Sequence, residues 1–183
     1  MNSSRAVLYV VICAAGPATD AIRLVDLATK RGWDTYAIPT PSAVEFLDLS
    51  ALESATGHPV RVRYRKPGEA GKLPHADAVV VAPATYNTVN KWAAGISDTF
   101  ALGLLAEMTG LGVPTSVLPF VNSALASQRV YQRSINELRK DGIRVLADDI
   151  GNAPHAPGAG GSLVSDFPWQ LALDAVEPDR GDE

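Results

Sequence analysis

Residues 6–15 (AVLYVVICAA) form an almost unbroken apolar run rich in β-branched side chains, the pattern of a strand buried on both faces within a parallel sheet. Gly16 breaks the run. Residues 19–30 then place Ile22, Leu24, Val25, Leu27 and Ala28 near helical spacing, and Arg31-Gly32 supplies a stop signal. The unit repeats: residues 34–39 predict a second strand, and Pro41-Ser42 opens a short helix through Phe46 and Leu47. Residues 61–65 alternate Arg with apolar residues as an edge strand would, ahead of a Pro/Gly/Lys loop at 66–74. Residues 76–82 (ADAVVVA) are the clearest strand, followed by a helix over 89–94 that ends at Gly95, and Asp98 stands as the cap of a helix over 99–109. A strand at 114–118, an amphipathic helix at 128–140, a strand at 143–146 and a helix at 168–176 complete the pattern. Strands alternating with helices predict an α/β fold with a single, doubly wound parallel sheet. One domain spans 1–183, with a flexible, Gly/Pro/Ala-rich binding loop at 148–165 and a frayed charged tail at 177–183.

Composition narrows the function classes. At 183 residues, 46% hydrophobic and 20% charged, the chain can bury a full-sized core. A net charge of −4 with no basic footprint disfavours nucleic acid and anionic membrane surfaces as partners. Cys13 is the one cysteine, so neither a disulfide framework nor a Cys-rich metal site is expected. With no secretory signal pattern and no apolar stretch of membrane-spanning length, a reducing, cytoplasmic location is expected.

In open parallel sheets ligands lie beyond the carboxyl ends of the strands. The segments there are 16–20, 40–43, 83–88 and 119–123, and hydroxyl residues recur in them: Thr19, Thr40, Ser42, Thr85 and Thr88. Hydroxyls beside free amides at helix starts suit a phosphate, and each is equally suited to capping a helix. The dinucleotide fingerprint G-x-G-x-x-G and the triphosphate loop G-x-x-x-x-G-K-[ST] are both absent. Asp20 would repel a phosphate placed beside it, so the expected placement is further from that helix, or with Ser42 as the main ligand.

The stretch ADAVVVAPATYNTVNKWAAGISD closely resembles the central signature of the flavin-dependent cysteine decarboxylases, which include the phosphopantothenoylcysteine decarboxylases and the enzymes acting on C-terminal cysteines of lantibiotic precursors. TPSAVEFLD upstream, and LPFVN with SINELRKDGIRVL downstream, extend the resemblance over residues 7–161. It implies a Rossmann-like flavoprotein fold, FMN as cofactor, and assembly as a trimer or a multiple of trimers with the flavin at subunit contacts. Pro83, Ala84, Thr85, Asn87 and Thr88 match the motif bordering the flavin, and Lys91, Gly95 and Asp98 match its continuation. Ser42 matches the phosphate side, while Pro17 stands where a Ser follows the family's glycine, so Gly16 and Thr19 complete that loop. Tyr86 replaces a small residue and would line the substrate side of the flavin or pack at a subunit interface, where Trp92 also fits.

The implied reaction is oxidative decarboxylation of a thiol-containing peptide or small molecule, a carbon–carbon lyase activity in which the cofactor carries the hard chemistry. The family's acid/base histidine falls here on Glu69; His75 is the nearest histidine and the candidate replacement, and His58 and His155 lie in other loops. Asn122 matches the asparagine that fixes the substrate carboxylate, but Val121 and Leu125 replace methionines and Ala126 a tryptophan. The late cysteine of the phosphopantothenoylcysteine enzymes is missing from 151–165, which removes their proton donor. The candidate catalytic residues are therefore Asn87, Asn122 and His75. The alternative is an FMN-binding, non-catalytic or regulatory homologue without the usual histidine; a flavin prenyltransferase shares the fold but matches Tyr86-Asn87-Thr88 less well.

Overall fold

The computed structural model describes residues 5–69, 71–149 and 152–177. Five parallel strands, β1 (Val7–Ile12), β2 (Asp34–Pro39), β3 (Ala78–Ala84), β4 (Thr115–Pro119) and β5 (Arg144–Val145), form one sheet in the order β2-β1-β3-β4-β5. Seven α-helices flank it: α1 (Ile22–Lys30), α2 (Leu49–Thr56), α3 (Tyr86–Ala93), α4 (Phe100–Gly110), α5 (Ser123–Ala126), α6 (Arg129–Lys140) and α7 (Trp169–Asp174). The strand order reverses direction between β1 and β3, the switch point at which such sheets open a crevice. This is the doubly wound α/β architecture expected from the alternation of patterns.

Period-two alternation along β1 divides the core. Leu8, Val10 and Ile12 pack with Val80, Leu118, α1 and α7 on one face. Tyr9, Val11 and Cys13 pack with Val79, Val81, Val117, α3, α4 and α6 on the other. Both faces are covered, which is why the central strands read as continuous apolar runs. Ser116, fully buried in β4, donates to the carbonyl of Ala172 at 2.5 Å and fastens α7 to its face. Among the described residues no helix is long and apolar enough to cross a membrane.

Several local expectations are corrected. Residues 61–65 are not a strand: Arg61 N–H donates to the Ala37 carbonyl at 3.1 Å, one bond beside β2 with no ladder following. The chain after β1 is a 3-10 turn, Gly16–Asp20, before α1 begins, and residues 41–46 are likewise a 3-10 turn. A separate helix, α2, follows because the Asp48 carboxylate accepts from Ala51 N–H at 3.0 Å. Helix α4 is capped by Thr99, whose hydroxyl accepts from Leu102 N–H, and Asp98 instead pairs with Lys91 at 2.5 Å. Within the described part of the 148–165 segment, Asn152 is buried, Ser123 N–H donates to the His155 carbonyl at 2.7 Å, and Arg23 donates to the Ser165 carbonyl at 3.1 Å. Of the tail, Glu177 pairs with Arg31 at 3.1 Å, and residues 178–183 lie outside the described residues.

The Lys91-to-Asp98 part of the central signature is a helix stop. Gly95, at φ +71, closes α3 with Gly95 N–H to Trp92 O and Ile96 N–H to Lys91 O, both 2.9 Å. A Cβ at Gly95 meets nothing within 4 Å, so Gly95→Ala isolates the backbone cost. It is expected to lower stability by about 1 kcal/mol, read as a reduced urea midpoint with unchanged slope.

Candidate functional site

Hydrogen bonds that continue past the strands hold four strand ends side by side. Thr40 N–H donates to Ile12 O at 2.8 Å, Cys13 N–H to Pro83 O at 3.0 Å, and Phe120 N–H to Ala84 O at 2.9 Å. The loops after β1, β2, β3 and β4 therefore share one rim, which carries Gly16, Ser42, the Pro83-to-Thr88 turn and Asn122.

Pro83 and Ala84 are buried at the end of β3, with the Ala82–Pro83 peptide cis. Thr85 caps α3: its hydroxyl accepts from Thr88 N–H at 3.3 Å and donates to the Thr88 hydroxyl at 3.0 Å. Thr88 is buried, and the fully buried Cys13 is tied to the same turn by its N–H, which donates to Pro83 O at 3.0 Å. Burial pushes its thiol up, so Cys13 is a neutral support of the turn. Asn87 is exposed on the first turn of α3, free to face a ligand.

Gly16 is exposed, yet a Cβ there would come within 3.1 Å of Val164 and 3.3 Å of Phe120. The rim is thus shaped to a bare backbone at this residue. Thr19 is exposed, its hydroxyl 3.5 Å from the Gly16 carbonyl. Ser42 is exposed within the 3-10 turn after β2, and among the described residues its hydroxyl makes no hydrogen bond. Asp20 leans toward Arg23 at 3.7 Å, which offsets part of its repulsion for an anion.

Asn122 caps α5, its Oδ1 accepting from Leu125 N–H at 3.0 Å; its amide NH2 remains free to donate. A parallel β-bridge joins Asn122 to His155. The His155 ring leans on Phe120, centroids 4.8 Å apart, and its Nδ1 lies 2.9 Å from the Ala156 carbonyl. The carbonyl can only accept, so Nδ1–H is the donor in that contact and Nε2 is the ring nitrogen not engaged by it. Gly160 leaves room for the ring, since a Cβ would come within 3.1 Å of Nε2.

The structure does not bring His75 to this rim. His75 is exposed just before β3, at the amino end of the sheet, and the seven residues of β3 at about 3.3 Å each put it more than about 20 Å from Asn87. Within one chain His75 therefore cannot act beside Asn87 and Asn122. Glu69, in the family's histidine position, is bound by Arg63 at 3.1 and 3.3 Å. The imidazole that does reach the rim is His155, which sequence adjacency to the motif could not single out. The signal available was its place in the segment after β5, beyond the carboxyl end of that strand. Tyr86 stacks on Tyr131, centroids 5.5 Å apart, and Trp92 is buried with its Nε1 donating to Thr109 at 3.0 Å. Trp92 is a core residue, while Tyr86 is half-buried at the edge of the core.

At this end of the sheet the cavity among Phe120, Val121, His155, Leu163 and Phe167 holds about 60 Å³, while spaces of 450 to 720 Å³ lie elsewhere. An isoalloxazine would have to lie on the open rim. The donors fit a flavin phosphate: a bare glycine and two exposed hydroxyls on adjacent loops.

The chain matches the family model described as Flavoprotein over residues 1–161. It is 27% identical over 139 residues to the coenzyme A biosynthesis bifunctional protein CoaBC of Thermococcus kodakarensis, covering 70% of this chain and 33% of that protein. To the CoaBC protein of Mycolicibacterium smegmatis it is 25% identical over 170 residues, covering 88% of this chain and 39% of that one. The chain thus spans 33% to 39% of the length of these curated relatives. The FMN-dependent cysteine decarboxylase TvaF from thioviridamide biosynthesis shares the fold at a TM-score of 0.69 and 23% identity, covering 94% of this chain and 99% of that one.

Proposed function

The chain belongs to the Flavoprotein family, and we propose on that footing that it binds FMN along the rim and oxidatively decarboxylates a cysteine-containing peptide or small molecule. Gly16, Thr19 and Ser42 hold the phosphate, and Pro83, Ala84, Thr85, Asn87 and Thr88 border the ring. Asn87 orients the substrate, Asn122 binds its carboxylate, and His155 takes the thiol proton, the role assigned from sequence to His75. When bound, the flavin supplies the two-electron oxidation of the cysteine side that lets carbon dioxide leave. The observation that carries this reading is the Asn122–His155 pairing: a free amide donor and an imidazole held together on the rim that bears the flavin motif.

A small cavity and an open rim also support a homo-oligomer, a trimer or a multiple of trimers, in which a second copy covers the flavin. The lone buried Cys13 suits a reducing, cytoplasmic compartment. One observation favours a second reading, a non-catalytic FMN-binding homologue: Glu69, in the histidine position, is tied to Arg63 and to Lys66 N–H.

Incubation with cysteine-ending peptides decides between the two by mass. Loss of carbon dioxide with two hydrogens, surviving His75→Ala, is expected; FMN-loaded protein that leaves every such peptide unchanged would establish the second reading. Gly16→Val is expected to weaken FMN binding about tenfold, because the added methyls cannot fit beside Val164 and Phe120. Fluorescence titration with FMN measures it, and unchanged affinity would remove Gly16 from the site.

A further inference from the structure

At the opposite end of the sheet from the rim, residues 61–75 carry five cations against one carboxylate, in a chain whose net charge is −4. The segment crosses the amino end of β3 as a strap. The Tyr9 hydroxyl donates to the Pro74 carbonyl, and Tyr64 sets its ring edge-on to Phe100, centroids 5.2 Å apart. Its hydroxyl lies where a Cβ on Gly103 would be, so the glycine gives the ring its seat on α4.

Beneath the strap is a cavity of about 450 Å³, within the range of small-molecule sites. Its floor is a stripe of α4, Phe100, Leu104 and Met108, residues one helical turn apart. Its rim is basic, with Arg61, Arg63, Arg65 and Lys72. Glu69 organises that rim. It takes a two-pronged contact from Arg63, its carbonyl accepts from Arg65 at 2.5 Å, and its carboxyl is held below the usual range mainly by Arg63. Arg63 is thereby spent. Arg61, Arg65 and Lys72 make no ion pair among the described residues, and the Arg61 guanidinium rests against Gly71, where a Cβ would approach within 2.9 Å. Tyr64 and Leu111, 57% and 58% exposed, line the same cavity. Large apolar side chains left in solvent beside unpaired guanidinium groups mark a binding surface.

We propose that this cavity binds an amphipathic anion, a carboxylate or phosphate monoester with an apolar body. The head group is held by Arg61, Arg65 and Lys72, and the body lies on Phe100, Leu104 and Met108. Glu107 on the cavity wall repels an anionic head group and so turns it toward the arginines on the opposite rim. Within one chain the site shares no residue with the rim at the carboxyl ends of the strands.

The test is calorimetry on the full chain as purified, with decanoate, decyl phosphate, decanol and inorganic phosphate as probes. Decanoate or decyl phosphate is expected to bind, and the tighter of the two identifies the preferred head group. Decanol and inorganic phosphate, each offering half of the recognition, are expected to bind at least about tenfold more weakly. Arg61→Gln with Arg65→Gln should weaken the anion about tenfold and leave the circular dichroism unchanged, whereas Arg133→Gln on α6 should have no effect. Equal binding of decanol, no binding of either amphipathic anion, or an unaffected double variant would overturn the proposal. So would a change in mass by light scattering in the double variant without a change in anion binding, because the face would then be a contact between copies.

Discussion

Asn122→Asp is expected to lower kcat/KM on a cysteine-ending peptide by about 10³-fold, with FMN still bound and the fold as stable as before. The two roles of this side chain make the substitution selective. Asn122 Oδ1 caps α5 through Leu125 N–H at 3.0 Å, and aspartate caps a helix as well as asparagine does. Only the outward half changes, from an amide donor to a carboxylate oxygen facing the substrate carboxylate. Like charges at close range cost several kcal/mol, and each 1.4 or so removes about a factor of ten. Asn122→Ala separates the roles from the other side, losing about 1 kcal/mol of stability together with the donor. Steady-state kinetics paired with urea denaturation measures both, and near-normal turnover in Asn122→Asp would reduce Asn122 to a cap.

His155→Gln should lower kcat about 10²-fold, the lower range for loss of a general base. Glutamine can still reach the Ala156 carbonyl that holds Nδ1 at 2.9 Å, so the Asn122 bridge is expected to persist. What disappears is a group that can take a proton. The loss should fall on kcat with KM for the peptide and FMN affinity little changed, as for removal of a proton-transfer group and not of a binding contact. A variant with near-normal kcat would show that another group takes the proton; His75→Ala is expected to keep the rate.

The central strands were legible because burial on both faces writes itself as continuous apolar runs, as in residues 6–15 and 76–82. Ends were less legible. Asp98 and Thr99 both satisfy the rule for a helix cap, and only the coordinates show Asp98 drawn to Lys91. Residues 61–65 have the alternation of an edge strand, but Tyr64 is held at Gly103 on α4 and the ladder stops after one bond. The flavin motif was legible as a motif, and the structure explains its parts: Thr85 and Thr88 build the turn, Cys13 supports it, and Gly95 ends the helix. The histidine of the proposed site was not legible. Proximity in sequence favoured His75, whereas a parallel strand carries its two ends to opposite edges of the sheet. Bringing His155 beside Asn122 depends on a bridge between segments more than thirty residues apart, which no local pattern encodes.

The central claim is that the rim of Gly16, Ser42, Thr85 and Asn122 holds FMN, and the most direct measurement is the visible absorbance of the purified chain, with the released chromophore identified by mass. A flavin spectrum and a released mass equal to that of FMN, or restoration of that spectrum with a raised Tm when FMN is added to the apoprotein, is the expected result. No flavin absorbance, with added FMN leaving both tryptophan fluorescence and Tm unchanged, would contradict it.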